Sequence, residues 1–110
     1  MGSAGIVRHV MLHGHVQGVG FRAFVAEAAY EHGADGWVRN CRDGSVEAVF
    51  AATPAIVDAL VAACRVGPAG ARVDALHQSD AGFGLLDERR GGESFSVLPT
   101  MDFRRQSGRG

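Results

Sequence analysis

The spacing of hydrophobic residues along the chain changes from strand-like to helical and back. Residues 6–13 are rich in β-branched and apolar side chains, and residues 72–79 alternate between apolar and polar side chains, as strands do. Residues 21–33 keep the i, i+3, i+4, i+7 spacing of an amphipathic helix, and residues 54–65 repeat that spacing. The pattern therefore predicts two helices that each bury one face.

The remaining segments predict a hairpin and a short final strand. Asp43-Gly44 is a hairpin turn signal between strands at 35–42 and 45–51. Residues 80–94 are polar and glycine-rich and indicate a loop, and residues 94–99 predict the final strand. The order is βαββαβ plus a short extra C-terminal strand. We expect an α+β protein with a ferredoxin-like α/β sandwich, in which one antiparallel sheet carries two helices on one face.

Length, composition and charge narrow the class of protein. The 110 residues predict a single domain over 1–110, with a core at about 6–100 and a frayed final ten residues. No apolar run approaches the ~20 residues of a membrane span. We see no signal peptide and expect a cytoplasmic protein without a membrane partner. The net charge of −1 argues against a nucleic-acid partner.

A glycine loop, GHVQGVGFR at 14–22, joins the first predicted strand to the first predicted helix. Gly14, Gly18 and Gly20 permit positive φ and close approach of a ligand. The amides at the helix N-terminus and the guanidinium fork of Arg22 together suit an anion of phosphate size. The loop lacks the G-K-[ST] and G-x-G-x-x-G patterns of nucleotide sites. From composition alone, a plain strand–helix connection with a solvated Arg22 is therefore the favoured interpretation.

A second stretch changes that interpretation. GWVRN at 36–40 is followed by DGSVE at 43–47. Together with the glycine loop, these segments resemble the acylphosphatase family, whose signatures are G-x-V-Q-G-V-x-F-R and G-W-V-x-N continuing into D-G-x-V-E. GPAGARVD at 67–74 and FSVLPT at 95–100 add further similarity. The resemblance covers most of the chain and implies the same ferredoxin-like fold.

The resemblance also implies an activity, the hydrolysis of acyl phosphates to a carboxylate and inorganic phosphate. Arg22 and the backbone amides of 16–21 would hold the phosphoryl group, and Asn40 would orient the attacking water. The residues implied to bind phosphate are His15, Val16, Gln17, Gly18, Val19, Gly20, Phe21 and Arg22. No metal or other cofactor is implied. The expected partner is a small-molecule acyl phosphate, with inorganic phosphate as product and inhibitor, and we expect a monomer.

Other polar residues have plainer interpretations. His13 and His15 would share one face of a continuing strand, but no third metal ligand is evident. Glu47 would face Asn40 across a two-residue turn, or Arg39 across a three-residue turn. We favour a cross-strand or solvated carboxylate over a catalytic base for Glu47.

The two cysteines and the tryptophan are also expected to be structural. Cys64 falls on the apolar stripe of the second helix and is expected in the core. Cys41 follows Asn40 along a strand, so its side chain should point to the opposite face, away from the chemistry. Trp37 is expected to pack against elements next to the sheet.

Two other functions are compatible with this fold. An RNA-binding domain would stack bases on aromatic residues of its central strands, but residues 45–51 offer only Phe50. A non-catalytic domain that senses phosphate or carbamoyl phosphate would keep the glycine loop. The presence of both Arg22 and Asn40 favours an enzyme over that sensor.

Overall fold

The computed structural model describes residues 5–101, and the frayed C-terminal end expected from the sequence lies outside them, Met101 excepted. Its elements, in chain order, are β1 (Ile6–His15), α1 (Phe21–His32), β2 (Asp35–Asn40), β3 (Val46–Ala52), α2 (Pro54–Val66), β4 (Arg72–Ala81), a 3-10 helix (Phe83–Glu88) and β5 (Phe95–Val97). The predicted βαββαβ order with a short final strand is confirmed.

The strand order β4-β1-β3-β2-β5 confirms the ferredoxin-like sandwich. The first four strands are antiparallel to their neighbours, whereas β5 runs parallel to β2. The sheet is therefore mixed at this edge, not wholly antiparallel as predicted. Val46 at the start of β3 pairs with Leu12 of β1 on one side and with Asn40 of β2 on the other. The glycine loop after β1 and Asn40 at the end of β2 consequently lie at the same end of the sheet.

The main core lies between the two helices and one face of the sheet. The helical spacing predicted which side chains of α2 are buried there, namely Val57, Leu60, Val61 and Cys64. Each fully buried aliphatic side chain of this kind contributes roughly 1.5–3 kcal/mol. Burial raises the pKa of Cys64 to about 12, so this thiol stays neutral and acts as a packing group.

The opposite face of the sheet is covered by the segment that the sequence predicted to be a loop. β4 continues to Ala81, and the 3-10 helix then packs Leu85 and Leu86 against a smaller core around Trp37. The indole Nε1 of Trp37 donates a hydrogen bond to the carbonyl of Leu85 at 2.8 Å. The prediction of a plain loop was therefore wrong for this part of 80–94, because the apolar residues there bury the indole.

Gly36 is required by the close pairing of β2 with β3. Its φ is +142°, and a Cβ at this position would lie 1.8 Å from the carbonyl oxygen of Val49. We expect Gly36→Ala to lower the free energy of unfolding by at least about 2 kcal/mol, because both backbone strain and a clash oppose it. Thermal unfolding followed by circular dichroism measures the effect. Gly84→Ala is the control, because a Cβ there meets no atom within 4 Å; equal melting temperatures for the two variants would contradict this account.

Candidate active site

The glycine loop is held by its apolar side chains and presents its backbone outward. Val16 is buried and Val19 packs against the main core, whereas Gly18 and Gly20 are exposed. Gly18 and Gly20 have φ of +77° and +80°, and a Cβ at either would meet no atom within 4 Å. A ligand can therefore approach the backbone closely at these two positions. Gly14 is required for close packing of β1 against β4, because a Cβ there would lie 2.2 Å from the carbonyl oxygen of Arg72.

A pocket of about 310 Å³ opens over this loop, at the small end of the range for ligand sites. Its lining residues are Val16, Gln17, Gly18, Gly20, Phe21, Arg22, Ala23, Asn40 and Val97. The structure thus brings together Arg22, Asn40 and most of the predicted loop. The side chains of two predicted phosphate contacts are not part of the pocket lining, because His15 is exposed and Val19 packs against the main core. The backbone amide of Val19 remains a predicted contact.

The guanidinium of Arg22, at the start of α1, is a positive charge that can bind a ligand in the pocket. It is partly exposed and makes no ion pair or side-chain hydrogen bond within residues 5–101. Helix α1 begins after Gly20, which has no side chain to cap it. The first turn of α1, at 21–24, contains no acidic side chain. The free amides and helix dipole there favour an anion by roughly 0.3–1 kcal/mol. The pocket is therefore electropositive where Arg22 meets the loop.

Asn40 lines the pocket from the end of strand β2. Side chains alternate between faces along β2, so Asn40 shares the helix-covered face with Val38, which is buried in the main core. The backbone carbonyl of Asn40 accepts a hydrogen bond from the amide of Met101 at 2.9 Å. An amide side chain can both donate to and accept from a bound water.

Gln17 ties the glycine loop to the hairpin that carries Asn40. Its side-chain Nε2 donates to the carbonyl oxygens of Cys41 and Ser45, both at 2.8 Å. The predicted contribution of Gln17 was a backbone amide only, and its side chain has this second role. The two hydrogen bonds hold the two halves of the pocket in register.

A family model of acylphosphatases matches residues 8–83. The chain belongs to the acylphosphatase family. An acylphosphatase from Bradyrhizobium diazoefficiens is 54% identical over 95 residues, which cover 86% of this chain and 96% of that protein. One from Rhodopseudomonas palustris is 52% identical over 87% of this chain and 97% of that protein. The structure of an acylphosphatase from Coxiella burnetii matches with a TM-score of 0.75 and 29% identity, over 86% of this chain and 93% of that one.

Glu47 lies on the face of the sheet opposite to that of Asn40. The turn has three residues, so Glu47 pairs with Arg39, and the two-residue alternative is wrong. Arg39 Nε lies 2.8 Å from one carboxylate oxygen, and His9 Nε2 lies 2.6 Å from the other. Burial raises the pKa of Glu47, but the hydrogen bonds from His9 and Arg39 outweigh it and hold that pKa below its usual value. Glu47 is therefore a cross-strand structural carboxylate.

The paired Glu47 predicts a dependence of stability on pH. A carboxylate whose pKa is lowered by folding stabilises the protein above its unfolded pKa of about 4.3 and loses that contribution as the pH falls through the folded pKa. We expect Glu47→Gln to lower the free energy of unfolding by about 1–3 kcal/mol at pH 7 and to flatten its decline below pH ~5. Urea titrations at several pH values measure both quantities. Glu27→Gln on the exposed face of α1 is the control, and a Glu47→Gln profile parallel to wild type would refute the assignment.

The other candidate ligands and nucleophiles are not part of the pocket. A register shift between His13 and Gly14 interrupts the alternation that would place His13 and His15 on one face, and the His13 ring instead lies 5.6 Å from that of His77. Within residues 5–101, no three potential metal ligands gather. Cys41 is buried, which raises the pKa of its thiol, and its sulfur lies 3.9 Å from Glu47 on the opposite face.

Proposed function

We propose that this chain hydrolyses the carboxyl–phosphate bond of acyl phosphates and releases a carboxylate and inorganic phosphate. One observation carries the proposal: Arg22 at the start of α1 and Asn40 at the end of β2 reach a single pocket, over open glycine backbone. Curated relatives that share about half of its residues are named acylphosphatases, which supports the same activity here.

In this mechanism the protein mainly positions the reactants and stabilises charge. The guanidinium of Arg22 binds two phosphoryl oxygens, and the backbone amides of 16–21 bind the third. Asn40 holds a water in line with the bond to the carboxylate. The water oxygen bonds to phosphorus as the bond to the carboxylate oxygen breaks, and the water proton passes to the released phosphate or to solvent. A carboxylate leaves readily, so no strong general acid is required.

Hydrolysis of benzoyl phosphate in the presence of EDTA tests the proposal directly. We expect hydrolysis to continue without metal ions, and inorganic phosphate to inhibit it competitively because it occupies the same loop. If phosphate binds but benzoyl phosphate is not hydrolysed, the chain is instead a phosphate- or carbamoyl-phosphate-sensing domain. Calorimetric titration with phosphate distinguishes that outcome from a misfolded preparation.

The hydrogen bonds of Gln17 predict an effect on both stability and turnover. Gln17→Ala removes two bonds, each worth about 0.5–1.5 kcal/mol, and releases the hairpin that places Asn40. We expect kcat to fall about tenfold, and Gln17→Glu to be worse because a carboxylate would face two carbonyl oxygens. Steady-state kinetics and thermal unfolding measure these effects. The control is Gln78→Ala, which removes an exposed glutamine bound to Arg8; an equal kcat for Gln17→Ala and Gln78→Ala would exclude the positioning role.

We further propose that the chain acts as a monomeric single domain in the cytoplasm, without a nucleic-acid partner. Arg22, Asn40 and the glycine loop, the groups that the mechanism uses, all belong to one chain, so the mechanism requires no second copy. Among the helices of residues 5–101 we find no candidate for a membrane span. Analytical ultracentrifugation at assay concentration checks the monomer, and a sedimentation coefficient of a dimer would contradict it.

A further inference from the structure

Val97 lines the pocket but has no role in the proposed binding of phosphate or water. It lies on β5, the short strand that runs parallel to β2 and places Val97 beside Val38. Val97 is 38% exposed, although its neighbours Ser96 and Leu98 are buried. An apolar side chain is thus presented to solvent at the pocket, from a strand that is otherwise well packed.

The position of Val97 is fixed by hydrogen bonds on both sides. The amide of Leu98 donates to the carbonyl of Val38 at 2.9 Å, and the hydroxyl of Tyr30 donates to the carbonyl of Phe95 at 2.7 Å. These bonds attach β5 to β2 and to α1, the two elements that carry Asn40 and Arg22. The distance from Val97 to the phosphoryl-binding loop is therefore set by the fold.

The walls of the pocket differ in chemistry. The backbone of the glycine loop, Arg22 and Asn40 supply its polar groups, whereas Val97 and Ala23 supply exposed apolar surface. When the loop holds the phosphoryl group, the acyl group cannot also enter it and must lie against another wall. Contact with an exposed apolar side chain favours an acyl group that is itself apolar.

We propose that Val97 contacts the acyl group of the substrate and makes the enzyme prefer acyl phosphates with aryl or branched alkyl acyl groups over acetyl phosphate. This inference rests on the proposed hydrolysis. Loss of apolar contact at a specificity pocket changes kcat/KM tenfold or more when the contact is fully buried. Because Val97 lies at a partly open rim, we expect a smaller effect.

The test compares benzoyl phosphate with acetyl phosphate for wild type, Val97→Ser and Val97→Ile. We expect Val97→Ser to lower kcat/KM for benzoyl phosphate about fivefold, mainly through KM, and to change that for acetyl phosphate less than twofold. Val97→Ile should preserve the preference, and the inhibition constant of inorganic phosphate should be unchanged in both variants. The matched control is Val66→Ser, because Val66 is 75% exposed and lies at the end of α2, outside the pocket lining.

The outcomes separate this inference from the proposed function. If wild type hydrolyses both substrates and Val97→Ser has the same ratio of kcat/KM for benzoyl and acetyl phosphate, the proposed contact of Val97 with the acyl group is overturned. The proposed hydrolysis of acyl phosphates then still stands. If Val97→Ser loses both activities equally and also binds phosphate more weakly, Val97 is only structural and the inference is again overturned. If wild type hydrolyses neither substrate, both proposals fail.

Discussion

Arg22→Ala is expected to lower kcat for benzoyl phosphate by about 10³–10⁵, the range for an arginine that stabilises charge in phosphoryl transfer. Among the pocket-lining residues within 5–101, the guanidinium of Arg22 is the one fixed positive side chain, and its planar fork can bind two oxygens at once. The helix N-terminus alone supplies only a fraction of that stabilisation. Steady-state kinetics at saturating substrate measure the loss.

Two comparisons make the Arg22 result specific. Arg22→Lys keeps the charge without the planar fork, so we expect it to recover only a small part of the activity. Arg65→Ala removes an exposed arginine from the last turn of α2 and should leave kcat unchanged. Because Arg22 makes no ion pair within residues 5–101, its removal should barely change the melting temperature. Wild-type turnover by Arg22→Ala would exclude its catalytic role.

Asn40→Ala is expected to lower kcat by about 10²–10³, the usual effect of removing one oriented hydrogen-bonding group from an active site. The affinity for inorganic phosphate should be nearly unchanged, because the loop and Arg22 bind that anion. The assignment of Asn40 therefore predicts a loss of turnover without a loss of binding. Kinetics with benzoyl phosphate, together with calorimetric titration of phosphate, measure the two separately.

Asn40→Asp provides the matched comparison, because it keeps the shape of the side chain and adds a negative charge beside the phosphoryl group. We expect it to lose both turnover and phosphate affinity, the latter through charge repulsion. If Asn40→Ala weakens phosphate binding as much as Asn40→Asp does, then Asn40 binds the phosphoryl group and does not place water.

Periodicity and short motifs were sufficient to predict most of the architecture. The helical spacing of 54–65 identified the buried face of α2, because the larger apolar side chains recur on one side of that helix, whereas alanines, Asp58 and Arg65 lie on the other. The register of the hairpin was not predictable, because Asp43-Gly44 suits a turn of either length. It is settled by the hydrogen bond that the Cys41 amide donates to the Ser45 carbonyl and by the Asp43 carboxylate, which accepts from the Ser45 amide, both at 2.9 Å.

The parts of the site that escaped prediction depend on contacts between distant segments. Gln17 was predicted as a backbone phosphate contact, but its side-chain bonds to the hairpin were not predicted, and neither was the presence of Val97 in the pocket. Both depend on residues far apart in the chain, which the local spacing of residues does not report. The 3-10 helix at Phe83–Glu88 was missed for a related reason. Short 3-10 segments have weak periodicity. The two leucines of this segment pack against the cluster around Trp37, a contact that the sequence does not show.

The insertion of β3 between β1 and β2 has a kinetic consequence. The glycine loop follows β1 and Asn40 ends β2, and these two strands pair with opposite edges of β3. The loop and Asn40 therefore come together only when β3 is paired on both sides. Pairings between distant segments form late and slowly during folding. We therefore expect enzymatic activity to recover during refolding only after β3 has paired with both β1 and β2, and a partly folded chain that already contains both helices to be inactive.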